Sequence, residues 1–200
     1  MARIPLALPE TLTPEQLRVH DRIVAGPRKR VVGPLLVALH NPELANRWQQ
    51  LGELLRYQTG LGPKVSELAI LVTARRWNTP LEWQVHAEAA RKAGVPESVI
   101  EAIRSSSPPQ FDHAEDDAEL AAVYEYARQL QEHGQVSAST YQDVLDRLGI
   151  AGIVELTAVI GYYTMVAMTL NAHQILRPED TDITVADTLS SLAPVKLPLV

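Results

Sequence analysis

Glu67 and His86 are the residues whose types and surroundings invite chemistry. Glu67 lies in the second turn of an otherwise apolar stretch, Ser66-Glu67-Leu68-Ala69-Ile70-Leu71, and His86 follows Glu82 by four residues and Trp83 by three. A carboxylate and an imidazole four apart share one helix face, and a hairpin of two helices can bring Glu67 to the same place. A glutamate beside a histidine holds one ring tautomer and raises the imidazole pKa, so that the ring can donate a proton near neutral pH. For Glu82 the simplest role is structural, because Thr79 and Glu82 have capping-box spacing at a helix start. No metal is expected: Glu82-Trp83-Gln84-Val85-His86 lacks the second imidazole of a zinc helix.

Composition narrows the chemistry further. The 200 residues contain no cysteine, which excludes disulfides, thiolate metal sites and thiol redox reactions. A net charge of −6 argues against a nucleic-acid partner. The one basic cluster, Arg28-Lys29-Arg30, reads as a solvated loop. Residues 1–9 show no charged start followed by an apolar run, so no secretion signal is read there and the cytoplasm is the expected location. The run Ile150 to Leu170 approaches membrane-span length. It carries Glu155, two tyrosines and three threonines and lacks basic flanks, so it reads as a buried core helix, with no membrane partner.

The elements that must position these groups are all helical. Thr13-Pro14, Asn41-Pro42 and Thr79-Pro80 each place a capping side chain before a proline at the first helical position, and Gly62-Pro63 is a weaker start. Gly94, Gly134 and Gly149 mark helix ends. Apolar residues between these marks recur with helical spacing, as in Leu68, Leu71 and Val72, with Arg75 completing the face. The spacing predicts helices near 14–25, 34–40, 42–58, 63–77, 80–93, 96–104, 115–133, 138–148 and 151–172, with a Ser/Pro loop over 105–113 and no strand. The tail, 177–200, has no clear period. An internal echo pairs Ser66-Glu67-Leu68 with Val154-Glu155-Leu156, and each glutamate has a histidine downstream, His86 and His173. Glu155, among apolar neighbours, is expected to need a partner such as Arg75 or a histidine.

The run from Ser66-Glu67 through Arg75, Thr79, Glu82-Trp83-Gln84-Val85-His86 to Gly94 resembles the signature of the carboxymuconolactone decarboxylase family, within the alkylhydroperoxidase-like superfamily. Gly33-Pro34 with Leu39-His40-Asn41-Pro42 resembles its upstream element, and Glu155 through Tyr162-Tyr163 to Asn171 its downstream helix, so the likeness spans roughly residues 33–176. The resemblance implies one all-α, alkylhydroperoxidase-like domain of eight or nine helices, with an N-terminal helical extension at 1–32, a core at 33–176 and a tail at 177–200. Related thiol-dependent members place a Cys-x-x-Cys where this chain has Thr79 and Glu82, so peroxidase chemistry is closed to it.

The resemblance implies decarboxylation of a small anionic lactone or ring-derived acid without a cofactor. Such a site needs an apolar pocket for the departing carboxylate, a donor for the developing oxyanion and a general acid. His86 is the expected acid, oriented by Glu67. Arg75, Tyr162 and Tyr163 are expected at the substrate or oxyanion, Trp83 and His40 along the pocket, and His173 as a further substrate contact. The alternative is a non-catalytic oligomeric scaffold or binding protein of the same fold, in which His86 would pack with no void beside it. Homo-oligomers, trimers or hexamers, are implied in either case.

Overall fold

The computed structural model describes residues 2–111, 115–175 and 197–198. Among the described residues there are eight α-helices and no strand. A 3-10 turn, Pro9–Thr11, precedes α1 (Pro14–Ala25), α2 (Leu35–Ala38), α3 (Pro42–Tyr57), α4 (Gly62–Arg76), α5 (Pro80–Ala93), α6 (Glu97–Ser105), α7 (Glu115–His133) and α8 (Ala138–His173). Capping chemistry explains several of these boundaries. Thr13 and Gln16 form a reciprocal capping box at α1, and Asn41 Oδ1 accepts the Leu44 N–H at 3.1 Å to start α3. Gly94, at φ 88°, closes α5 in the left-handed region that a side chain disfavours. The expected break at Gly149 is a kink inside α8, where the backbone leaves helical geometry at φ 68°, ψ 179°.

The capping box expected at Thr79 does not form. Thr79 makes no side-chain cap, and neither its hydroxyl nor the Glu82 carboxyl has a hydrogen-bond partner. The sharp α4–α5 turn is held instead by Asn78, a residue tolerant of its φ of 52°. Its Oδ1 accepts a bond from Arg75 Nη1 at 2.6 Å.

The apolar face of α4 is the centre of the molecule and packs against α5, α7 and α8. Leu68, Ala69, Leu71, Val72 and Ala74 are all fully buried. Burying such side chains contributes roughly 1.5–3 kcal/mol each for the larger ones. Gln131 of α7 satisfies polar groups caught beside this core: it accepts from Trp77 Nε1 at 2.8 Å and donates to Thr164 Oγ1 at 2.7 Å.

The long apolar helix is only partly a core helix. α8 is long and apolar enough to cross a membrane by length and composition, and half of its most apolar window is buried within the fold. Its other face exposes Ile150, Val154, Met165 and Met168. Most of the tail lies outside the described residues. Leu197 is buried, its N–H donates to Glu132 of α7 at 2.8 Å, and Tyr124 donates to the Pro198 carbonyl. That pair therefore lies against its own chain.

Candidate active site

The turn at Asn78 folds α5 back along α4, and this hairpin brings Glu67 and His86 together. His86 Nδ1 is 2.7 Å from Glu67 Oε2, with both side chains largely buried. With Nδ1–H committed to the carboxylate, Nε2 is the free ring nitrogen. The edge of the imidazole meets Tyr163 at 4.8 Å between ring centroids, and Tyr163 in turn meets Tyr162 at 5.3 Å, both T-shaped.

A cavity of about 1270 Å³ opens beside His86. Glu82, Tyr162, Tyr163, Arg28 and Arg56 share it with the imidazole; Arg3, Arg30 and Gln174 also line it, and apolar side chains from α2, α5, α8 and the N-terminal segment make up most of the remaining wall. Glu67 is not on the wall: it stands behind His86 and orients it. Arg28 Nη2 donates to Tyr162 Oη at 3.4 Å, and Arg28 Nε is buried without a partner. No carboxylate pairs with Arg28 or Arg56 among the described residues, so both guanidiniums face the cavity as uncompensated cations.

Gly52 makes this corner possible. It is buried in the middle of α3, where a Cβ would run into Tyr162 Oη and Arg28 Nη2. The missing side chain lets the tyrosine and the arginine lie against the helix backbone.

The electrostatics reverse the expected roles. Burial lowers the His86 pKa, and the positive charges of Arg56 and Arg28 lower it further; the Glu67 hydrogen bond and charge raise it but are outweighed. The imidazole is therefore neutral near pH 7, an acceptor at Nε2 rather than a proton donor. Glu82 is 3% exposed with both oxygens unpartnered, and burial raises its pKa well above the usual carboxylate range. Burial without a partner favours its protonated, neutral form, one helical turn before His86. Burial also raises the pKa of Tyr162 and Tyr163, so both remain O–H donors.

The other expected site residues lie elsewhere. Arg75 sits at the end of α4, bonded to Asn78, with its pKa lowered by burial and by Arg104; the helix carries it past the cavity. Trp83 is 1% exposed and packs in the core. His40 Nε2 meets the Pro5 carbonyl at 2.7 Å and fastens the N-terminal segment. His173 ends α8, its carbonyl accepting the Arg3 N–H at 2.9 Å. Glu155 accepts the Gly60 N–H at 2.9 Å rather than pairing with Arg75 or a histidine. The cavity's cations, Arg3, Arg28, Arg30 and Arg56, were not anticipated. Arg28 belongs to the basic cluster read as a solvated loop, and only the buried glycine in the middle of α3 could have hinted at a close approach there.

Among the described residues, no group of three or more His, Asp or Glu is arranged to hold a metal ion.

The model of the Carboxymuconolactone decarboxylase family matches residues 42–124, which include Glu67, Glu82 and His86. No curated protein matches the chain significantly in sequence. A crystal structure of an alkylhydroperoxidase AhpD core, an uncharacterized peroxidase-related protein from Ralstonia eutropha JMP134, superposes with a TM-score of 0.68 at 12% identity, covering 97% of this chain and 98% of that one. A cysteine-to-alanine variant of the debrominase Bmp8, solved with 2,3,4-tribromopyrrole, gives 0.63 at 11% identity, covering 96% and 100%. At these identities the two structures establish a shared all-helical fold.

Proposed function

We propose, from the match of residues 42–124 to the model of the carboxymuconolactone decarboxylase family, that this chain is a lyase. It decarboxylates an anionic lactone or ring-derived acid and places a proton on the carbon left behind. One observation carries this reading: the buried, unpartnered Glu82 and the Glu67-anchored His86 sit on the same cavity as Arg28 and Arg56, which no carboxylate pairs among the described residues.

The chemistry follows from that arrangement. Arg28 and Arg56 bind a carboxylate or carbonyl oxygen of the substrate, and the Tyr162 hydroxyl, which accepts from Arg28, has its own proton free to donate. The departing carboxylate lies against the apolar wall, where desolvation favours loss of CO2. As the C–C bond breaks, its electron pair moves through the conjugated double bond to the carbonyl oxygen. Glu82 then delivers its proton to the carbon next to that carbonyl. His86 Nε2 accepts a proton from water and passes it to the Glu82 carboxylate, and Glu67 stabilises the imidazolium that forms in between.

A scaffold role would leave His86 packed without a void, and the cavity beside it favours the enzyme reading. We also propose that the exposed apolar face of α8, Ile150, Val154, Met165 and Met168, is covered by further copies of the chain. Its length and continuity suit a homo-oligomeric contact.

The test is CO2 release from a panel of lactone acids and β-keto acids by wild type, His86→Ala and Glu82→Gln. Turnover that is lost in both variants, with circular dichroism unchanged, is the expected result. Turnover retained in Glu82→Gln overturns the proton-donor assignment, and absence of CO2 release across the panel overturns the lyase reading.

A further inference from the structure

We infer that the acid taken by this site carries an extended apolar substituent, so that the natural ligand is amphipathic rather than a compact polar ring. The inference takes the His86 cavity as the substrate site, as proposed above, and names the class of molecule that fills it.

Size is the first observation. At about 1270 Å³ the cavity exceeds the roughly 300–1,000 Å³ of pockets that bury drug-sized ligands, far more than a small lactone acid can occupy. Polarity is the second, because cations stand beside the reactive groups of a mostly apolar cavity. The cations Arg28 and Arg56 both act on His86 and on Tyr162, so the charged end lies beside the reactive groups. The rest of the wall is mostly apolar, with Leu36, Val85, Val166 and Leu170 and with Ile4 and Leu6 of the N-terminal segment, and it also carries Arg3, Arg30 and Gln174.

That segment is a fixed wall. The Arg3 N–H donates to the His173 carbonyl at 2.9 Å, and Arg3 Nη1 to the Ala172 carbonyl at 3.2 Å. His40 Nε2 holds the Pro5 carbonyl at 2.7 Å, and the Ala7 N–H donates to the Leu36 carbonyl at 3.0 Å. Tied to α8, to the end of α2 and to α2 itself, residues 3–7 roof the apolar part of the cavity. Cations beside the reactive groups and a predominantly apolar remainder of the wall together select a carboxylate with an apolar body.

Calorimetry on the full chain tests this with unreactive probes, straight-chain alkanoates and the matching 1-alkanols. Alkanoate affinity is expected to rise about fourfold per added methylene, as burial of each CH2 predicts. Alkanols should bind at least tenfold more weakly than the acid of equal length. Arg28→Gln and Arg56→Gln are expected to lower alkanoate affinity about tenfold and leave the alkanols unchanged, which separates loss of the cation from loss of the fold. Ile4→Glu should flatten the length series while the shortest acids bind as before. Affinity independent of chain length, or alkanols binding as tightly as acids, overturns the inference. The lyase reading fails separately: long acids that bind with the expected slope, without CO2 release from any panel member, would sink the reaction and leave the ligand class standing.

Discussion

Two stretches of this chain begin alike and end with different work. Ser66-Glu67-Leu68 in α4 and Val154-Glu155-Leu156 in α8 each set a glutamate in an apolar helix, with His86 nineteen and His173 eighteen residues downstream. In the first, Asn78 turns the chain back, and the nineteen residues close to a 2.7 Å contact. In the second, the helix runs on without a turn to His173. At a rise of 1.5 Å per residue it carries the histidine roughly 27 Å away. Glu155 then serves the nearest unsatisfied donor, the Gly60 N–H, and His173 serves with its backbone. Equal spacing means contact across a hairpin and separation along a rod, so the turn between the two residues decides whether a carboxylate and an imidazole can cooperate.

The largest test of this contrast removes each histidine in turn. His86→Ala should lower kcat by roughly 10²–10⁴-fold, the usual contribution of a positioned acid–base group. His173→Ala should change it less than about threefold, since its backbone makes its only described contact. Steady-state CO2 release with both variants, each checked for an unchanged helical spectrum, decides the matter. Similar losses in the two would show that His173 also takes part in turnover.

Glu82 sharpens the comparison through pH. The proposed reaction needs neutral His86 and protonated Glu82. Activity should fall on the acid side as pH drops through the lowered His86 pKa, and on the alkaline side as pH rises through the raised Glu82 pKa. Stability carries the same signature. A carboxyl whose folded pKa is raised binds its proton more tightly folded than unfolded, so its contribution is full below the unfolded value near 4.5 and is lost as pH climbs to the folded one. Glu82→Gln should abolish the alkaline limb, cost about 10²-fold in kcat, and flatten the fall of Tm with rising pH. An unchanged slope of Tm against pH would show that Glu82 is charged in the folded protein.

Gly52 tests the cationic corner that has no counterpart near Glu155. In Gly52→Ala the new methyl must displace Tyr162 Oη and Arg28 Nη2. The expected result is a KM raised about tenfold, the value of one charge-assisted hydrogen bond, while the pH profile set by His86 and Glu82 keeps its shape. An unaltered KM would detach Arg28 and Tyr162 from substrate binding.

Much of this could be read from residues alone, because helix starts and stops are local events. Proline after a capping side chain, glycine at a left-handed position and apolar residues at helical spacing located most helices within a few residues. The Glu67–His86 pair was legible because one short turn joins their helices. The cations were not, because Arg28 reaches the cavity from the loop between α1 and α2 and Arg56 from α3, and neither approach leaves a periodic trace. Arg75 was misassigned for the opposite reason: it has the right period on α4, but the last turn directs it to Asn78. Glu82 shows where spacing stops being informative. The same offset from Thr79 serves a capping box and a buried acid, and only burial without a partner separates them.

The smallest expected effect completes the contrast between the two glutamates. Glu67→Gln replaces an acceptor with a side chain whose amide can hold either imidazole tautomer, so kcat should drop while Tm stays nearly constant. Glu155→Gln weakens a hydrogen bond between the loop before α4 and α8, at a cost of about 1 kcal/mol. In a chain of this size that lowers Tm by roughly 2–4 °C and should leave kcat unchanged. Parallel melting curves and turnover numbers for the two variants measure the split directly. If Glu155→Gln slows turnover as much as Glu67→Gln does, then the position of the α3–α4 loop is coupled to the chemistry at His86, and the carboxylate on α8 shapes the site through the backbone it holds.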